Sequence, residues 1–240
     1  MSLADFNADG RLDLFAPDGS ESVWGLFGAG DGNFGAPVRY GAGSFPFVAV
    51  AADLNRDGRP DLVISNFAPF DVIVLLGRGD GRFKRPIKTH VGYSSVDLAV
   101  GDVNNDGRPD LVTFSGEVAV RLGLGSGRFE RPLWYRAHKA PTAAAIADLD
   151  GDGRPDLAVA NTHSRDVSLL IATGGGRFRR AGNYAAGVAP ESVASGDVNS
   201  DGRPDLAVAN KNSANVSVLL SAGPIAAARA QAGKGRTTPR

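Results

Sequence analysis

Apolar residues in this chain come in short runs, and each run recurs with the same neighbours. An apolar or alternating run (residues 46–52, 95–100, 142–147 and 192–195) leads into an acidic, glycine-bearing stretch. A second run leaves that stretch, as at 61–65 and 205–209, and a polar hairpin separates it from a third, β-branched run at 71–76, 166–171 and 215–220. A glycine-rich turn then ends in Phe34, Phe83, Phe129 or Phe178, and a short fourth run follows, as at 37–40 and 132–135. Runs this short, rich in Val and Ile and bounded by Gly, Pro and Asn, predict strands; no segment keeps a 3.6-residue period.

The acidic stretch shows its logic best at Asp148-Leu-Asp150-Gly-Asp152-Gly-Arg-Pro-Asp156. Residues two apart on an extended backbone point the same way, so Asp148, Asp150 and Asp152 converge on one point. Gly153 tolerates a left-handed turn that brings Asp156 back to it, and the Arg154 carbonyl adds a further oxygen. Hard oxygens on a flexible loop suit Ca²⁺, which takes about six to eight of them.

The stretch occurs five times, starting at residues 5, 53, 102, 148 and 197. The other four copies place Asp5, Asn7, Asp9 and Asp13; Asp53, Asn55, Asp57 and Asp61; Asp102, Asn104, Asp106 and Asp110; and Asp197, Asn199, Asp201 and Asp205 in the same positions. One such cluster reads as a plain Asx-turn; five with carboxylates at the first, fifth and ninth positions read as metal loops. An EF-hand would need Glu at the twelfth position and flanking helices. Ala16, Ile64, Thr113, Val159 and Val208 stand there instead, inside strand-like runs.

The intervals between loops are 48, 49, 46 and 49 residues. Four short strands per repeat of that length predict an all-β fold, a β-propeller of four-stranded blades. There are five repeats, four of them complete, because the last lacks the Gly-Arg-Phe turn and the fourth run. Pro60, Pro109, Pro155 and Pro204 stiffen the eighth loop position; Leu12 replaces them in the first loop, which is expected to be looser.

Composition narrows the partners. Lys plus Arg equals Asp plus Glu at 26 each, which points to neither nucleic acid nor membrane surface. Sixteen of the 22 aspartates lie in the five loops. No cysteine means no disulfide or thiolate site, and no apolar run approaches the ~18 residues of a membrane span. No leader peptide is visible before the first loop, and the chain reads as cut from a longer one. Residues 223–240 are basic and Ala/Gly-rich, and read as a disordered tail.

Segments such as Asn33-Phe-Gly-Ala-Pro37, together with the five loops, resemble the FG-GAP/VCBS repeats of bacterial surface proteins and of the integrin α-subunit propeller. The resemblance covers residues 1–222. It implies one calcium ion per loop between the first and second strands, and a propeller usually of seven blades, of which this chain would be an incomplete or open part. It also implies carbonyl ligands from Arg11, Arg59, Arg108, Arg154 and Arg203.

Other chemistry is sparse. His90, His138 and His163 have no metal-ligand spacing and read as surface-loop residues; no Ser/His/Asp set stands out, and the chain does not read as an enzyme. Arg78-Gly79-Asp80 reads as a turn, and Trp24 and Trp134 as core. The resulting expectation is an extracellular or cell-surface binding or adhesion module with structural calcium, for a protein or carbohydrate ligand. The alternative is a lectin-like or polysaccharide-processing, lyase-type propeller. Any partner is expected opposite the metal loops, near Phe45, Phe67, Phe70, His90, Tyr93, His138, Lys139, His163 and Arg165. Unpaired strand edges at both ends predict association with another chain.

Overall fold

The computed structural model describes residues 1–68, 70–92 and 97–222; Tyr93, the start of the 95–100 run and the 223–240 tail lie outside the described residues. Five antiparallel meanders follow one another. Blade 1 is Ser2–Ala4, Asp13–Pro17, Ser22–Leu26 and Val38–Gly41; blade 2 is Pro46–Ala52, Asp61–Asn66, Asp71–Leu75 and Ile87–His90. Blade 3 is Leu98–Gly101, Asp110–Phe114, Val118–Arg121 and Leu133–Tyr135; blade 4 is Pro141–Ala147, Asp156–Asn161, Asp166–Gly174 and Arg177–Ala185. Blade 5 has three strands among the described residues, Pro190–Gly196, Asp205–Asn210 and Asn215–Leu219. Among the described residues there is no helix. This is the all-β propeller architecture that the repeat predicts. His90 ends a strand, in register with Asp71, instead of lying in a loop.

In the inner blades the second and third strands are buried on both faces because each blade is sandwiched between neighbours; Asp61–Asn66 and Asp71–Leu75 are buried throughout. The fourth strands see solvent on one side and alternate, as Ile87–His90 does. Trp134 falls on the outward phase of such a strand and is 47 % exposed, which overturns its assignment to the core. Trp24 is half-buried, and its indole N–H donates to Asp18 Oδ2 at 3.3 Å.

Every core cluster straddles two consecutive blades. At the first junction Phe83 of blade 2 inserts among Phe6, Phe15 and Tyr40 of blade 1, ring centroids 5.9, 5.6 and 5.3 Å away. The glycine before that phenylalanine permits the approach. A Cβ on Gly81 would stand 2.6 Å from Phe27, and one on Gly176 would stand 2.5 Å from Leu122. Tyr40 and Tyr135 each donate their hydroxyl across the junction to the carbonyl of that glycine, Gly81 and Gly176.

Both ends of the array expose what the inner junctions cover. Val216 and Val218 of blade 5 are 62 % and 51 % exposed, whereas their counterparts Val167 and Leu169 of blade 4 are buried. Phe34 of blade 1 is 43 % exposed, against 8 % for Phe178.

Candidate metal centre

In every blade the acidic stretch joins the first strand to the second, and its conformation is the same five times. The fourth position is left-handed (Ala8, Arg56, Asn105, Gly151 and Ser200 at φ 59, 59, 60, 78 and 63°), as is the sixth-position glycine. These two turns wrap the chain around its own carboxylates. The first aspartate accepts from the fifth- and sixth-position amides: Asp57 and Gly58 donate to Asp53 at 3.1 and 2.8 Å, and Asp152 and Gly153 donate to Asp148 at 3.0 and 2.8 Å. The fifth aspartate accepts from the seventh-position amide, Arg59 to Asp57 at 3.1 Å and Arg154 to Asp152 at 2.9 Å.

The ninth aspartate has a second role that sequence reasoning missed. Asp13, Asp61, Asp110, Asp156 and Asp205 are buried, and each spans the loop and the exit of the third strand. Asp61 Oδ2 accepts from Leu54 N at 2.9 Å and Oδ1 from Gly77 N at 2.7 Å; Asp156 does the same with Leu149 and Ala172 at 2.9 and 2.7 Å. Each carboxylate oxygen keeps a lone pair for a cation. A signal was present in the sequence: Gly28, Gly77 and Gly123 follow the third strand in three repeats, where a Cβ would lie 2.2–2.3 Å from the eighth-position carbonyl.

Burial pushes Asp61, Asp110 and Asp156 up to about 6 despite those amide bonds, and the neighbouring loop carboxylates push the same way. Asp150 is also raised, by burial first and then by Asp152. Asp197 is lowered, chiefly by the Gly202 amide.

Among the described residues, the fourth loop alone brings three carboxylate oxygens within reach of one another. Asp148, Asp150 and Asp156 place one carboxylate oxygen each within 4.8 Å of one another. In the first, third and fifth loops the Asn amide at position three donates to the fifth-position carboxylate, as Asn7 does to Asp9 at 3.1 Å. The Asp150 side chain has no N–H to give; the Arg154 side chain pairs with Asp152, as Arg203 pairs with Asp201 in the fifth loop. The donor set is all oxygen, which fits a hard cation such as Ca²⁺ and offers nothing to a thiophilic metal. With such an ion, the Asp and Asn side chains would hold it and the ion would neutralise carboxylates packed against one another.

The remaining candidates stay apart. The three histidines do not converge; His138 instead reaches Asp166, Nδ1 to Oδ2 at 2.6 Å. Asp80 of the Arg78-Gly79-Asp80 tripeptide accepts from Arg82 N at 3.0 Å, and Gly79 is left-handed, so turn chemistry accounts for it. Phe45, Phe47 and Phe67 are exposed, with the Phe67 and Phe70 rings 5.8 Å apart.

A family model described as FG-GAP-like repeat matches residues 5–64, 69–113 and 148–208. The chain belongs to the FG-GAP-like repeat family. The first and third matched segments each begin at a loop's first aspartate, and all three end in a second strand. A comparison with curated protein sequences finds no match. Among solved structures, an Agrocybe aegerita lectin described as recognising non-reducing terminal N-acetylglucosamine superposes with a TM-score of 0.63 at 20% identity. That match covers 92% of this chain and 63% of the lectin. The Pseudomonas aeruginosa periplasmic gluconolactonase gives 0.64 at 21% identity, covering 90% of this chain and 64% of that one. The V. cholerae biofilm matrix protein Bap1 gives 0.53 at 20%, covering 92% and 37%. These likenesses concern the fold, and the chain spans less than two thirds of each of those structures.

Proposed function

We propose that this FG-GAP-like propeller is a calcium-stabilised binding module of the extracellular or cell-surface kind, with ions held structurally in its integrin-like loops. The observation that carries the reading is the Asp148, Asp150 and Asp156 oxygen cluster, set in a hydrogen-bond skeleton common to all five loops. Carboxylates this close repel, and a bound cation turns the repulsion into attraction. Open loops of this kind bind at about 10⁻⁴–10⁻³ M, a range suited to extracellular calcium. The loops are nearly identical and so poorly suited to a specific partner. The opposite rim varies and carries the exposed Phe45, Phe47 and Phe67, the kind of apolar patch that marks a docking surface. Thermal melting in EDTA and in millimolar calcium tests the reading: a melting temperature unmoved by EDTA would make the loops plain turns.

The second reading is a carbohydrate-binding propeller. Exposed Trp134 offers a flat ring for sugar stacking, and the lectin shares the fold. Binding on a glycan array that Trp134→Ala abolishes would favour it, and cleavage of an acidic polysaccharide would move the reading to a lyase.

A further inference from the structure

The fourth loop position is the one residue between the third- and fifth-position donors, and its left-handed backbone turns its side chain away from its own loop. In two loops that side chain reaches the next one. Asn105 Nδ2 donates to the Gly153 carbonyl at 2.8 Å, 48 residues on. The Arg56 guanidinium lies against Gly107, 3.6 Å from where a Cβ would stand. Both targets are the sixth-position glycine of the following loop. The remaining junctions lack the reach, because Ala8 and Gly151 occupy the fourth position there and carry no polar side chain.

Gly153 lies at the centre of its loop's skeleton. Its amide donates to Asp148 at 2.8 Å, and its carbonyl shares a peptide plane with the Arg154 amide, which donates to Asp152 at 2.9 Å. Holding that plane therefore aims the Asp152 carboxylate through the Arg154 amide. On the other side Asn105 is fixed between Asn104 and Asp106, and the Asp106 amide donates to Asp102 and Asn104 at 3.1 and 3.0 Å.

We propose that loops two, three and four form a coupled calcium relay, in which Arg56 and Asn105 are positioning residues that let an ordered loop pre-order the next, while loops one and five bind independently. The proposal rests on the calcium reading above. Coupling of this kind is reciprocal, so occupancy of loop four must favour loop three equally. One exposed hydrogen bond sets its size at roughly two- to ten-fold in affinity.

The test is a calcium titration of the full chain followed by nuclear magnetic resonance with ¹⁵N-labelled glycine. The amides of Gly10, Gly58, Gly107, Gly153 and Gly202 each donate to their own loop's first aspartate and report that loop. Asp106→Ala, which disables loop three, is expected to raise the Gly153 midpoint about two- to ten-fold and leave Gly10 and Gly202 unmoved. Asn105→Ala is expected to reproduce the Gly153 shift while Gly107 still responds; Ala8, at φ 59°, shows that alanine fits this position. Adding Asp106→Ala to Asn105→Ala is expected to do nothing more at Gly153. A Gly153 midpoint indifferent to Asn105→Ala, or equal shifts at all five glycines, would overturn the relay and leave the calcium reading standing. A parent protein whose glycines ignore millimolar calcium would remove both.

Discussion

A carboxylate that bonds two backbone amides from different segments behaves as a bolt, and the ninth-position aspartates do so. Asp61→Ala would strand the Leu54 and Gly77 amides, each worth about 1–3 kcal/mol when buried and unsatisfied. The expected loss is about 2–5 kcal/mol in urea unfolding with EDTA present, whereas Asp53→Asn at the exposed rim should change little under the same conditions. Proton linkage gives a second test. Asp61, Asp110 and Asp156 have folded values near 6, above the ordinary 3.8, so the folded state holds more protons between those values. Stability of the calcium-free protein should therefore fall as pH rises from about 4 to about 6, and be lowest above it. Saturating calcium should reverse the slope, because protons then compete with the ion. A melting temperature in EDTA that rises over this interval would refute the assignment. Gly151 takes the left-handed fourth position at φ 78° without strain, whereas the non-glycine residues of the other loops bear a cost there of about 1–2 kcal/mol. Glycine thus adds to the extra charge of Asp150, and calcium should bind the fourth loop most tightly. Asp150→Asn should weaken that loop selectively.

The blade is the element that the sequence displays most openly, since turn glycines, β-branched runs and loop aspartates all repeat in register. Strand order and loop placement were legible for that reason. The junctions were not, because they join residues 41 to 77 apart whose side chains look unremarkable singly. Phe83 reads as the end of a turn until it is seen among Phe6, Phe15 and Tyr40. Asn105 and Arg56 read as variable loop fillers, and Trp134 misled because strand membership does not give phase. The junction makes its own prediction. Gly81→Ala combines a left-handed backbone with a Cβ 2.6 Å from Phe27, while Gly32→Ala has the same backbone cost and nothing within 4 Å. The Gly81 variant should lose about 1–3 kcal/mol more, the usual cost of overpacking, in paired denaturation curves. Equal losses would mean that the junction yields to the added methyl.

At the scale of the whole molecule, contacts run from each blade to the next, and the faces left over at the two ends are halves of that same junction. Apolar patches of this sort promote association. The chain should therefore show concentration-dependent size in light scattering, and Val216→Glu with Val218→Lys should make it monodisperse. The direction of the junction has a further consequence. Blades 2, 3 and 4 each dock a Gly-Phe turn onto the blade before them in the sequence. During synthesis at about 5–20 residues per second, the surface that receives a blade has left the ribosome several seconds before the blade arrives. Growth then resembles laying bricks on a finished course, with translation setting the pace and the newest edge always the sticky one.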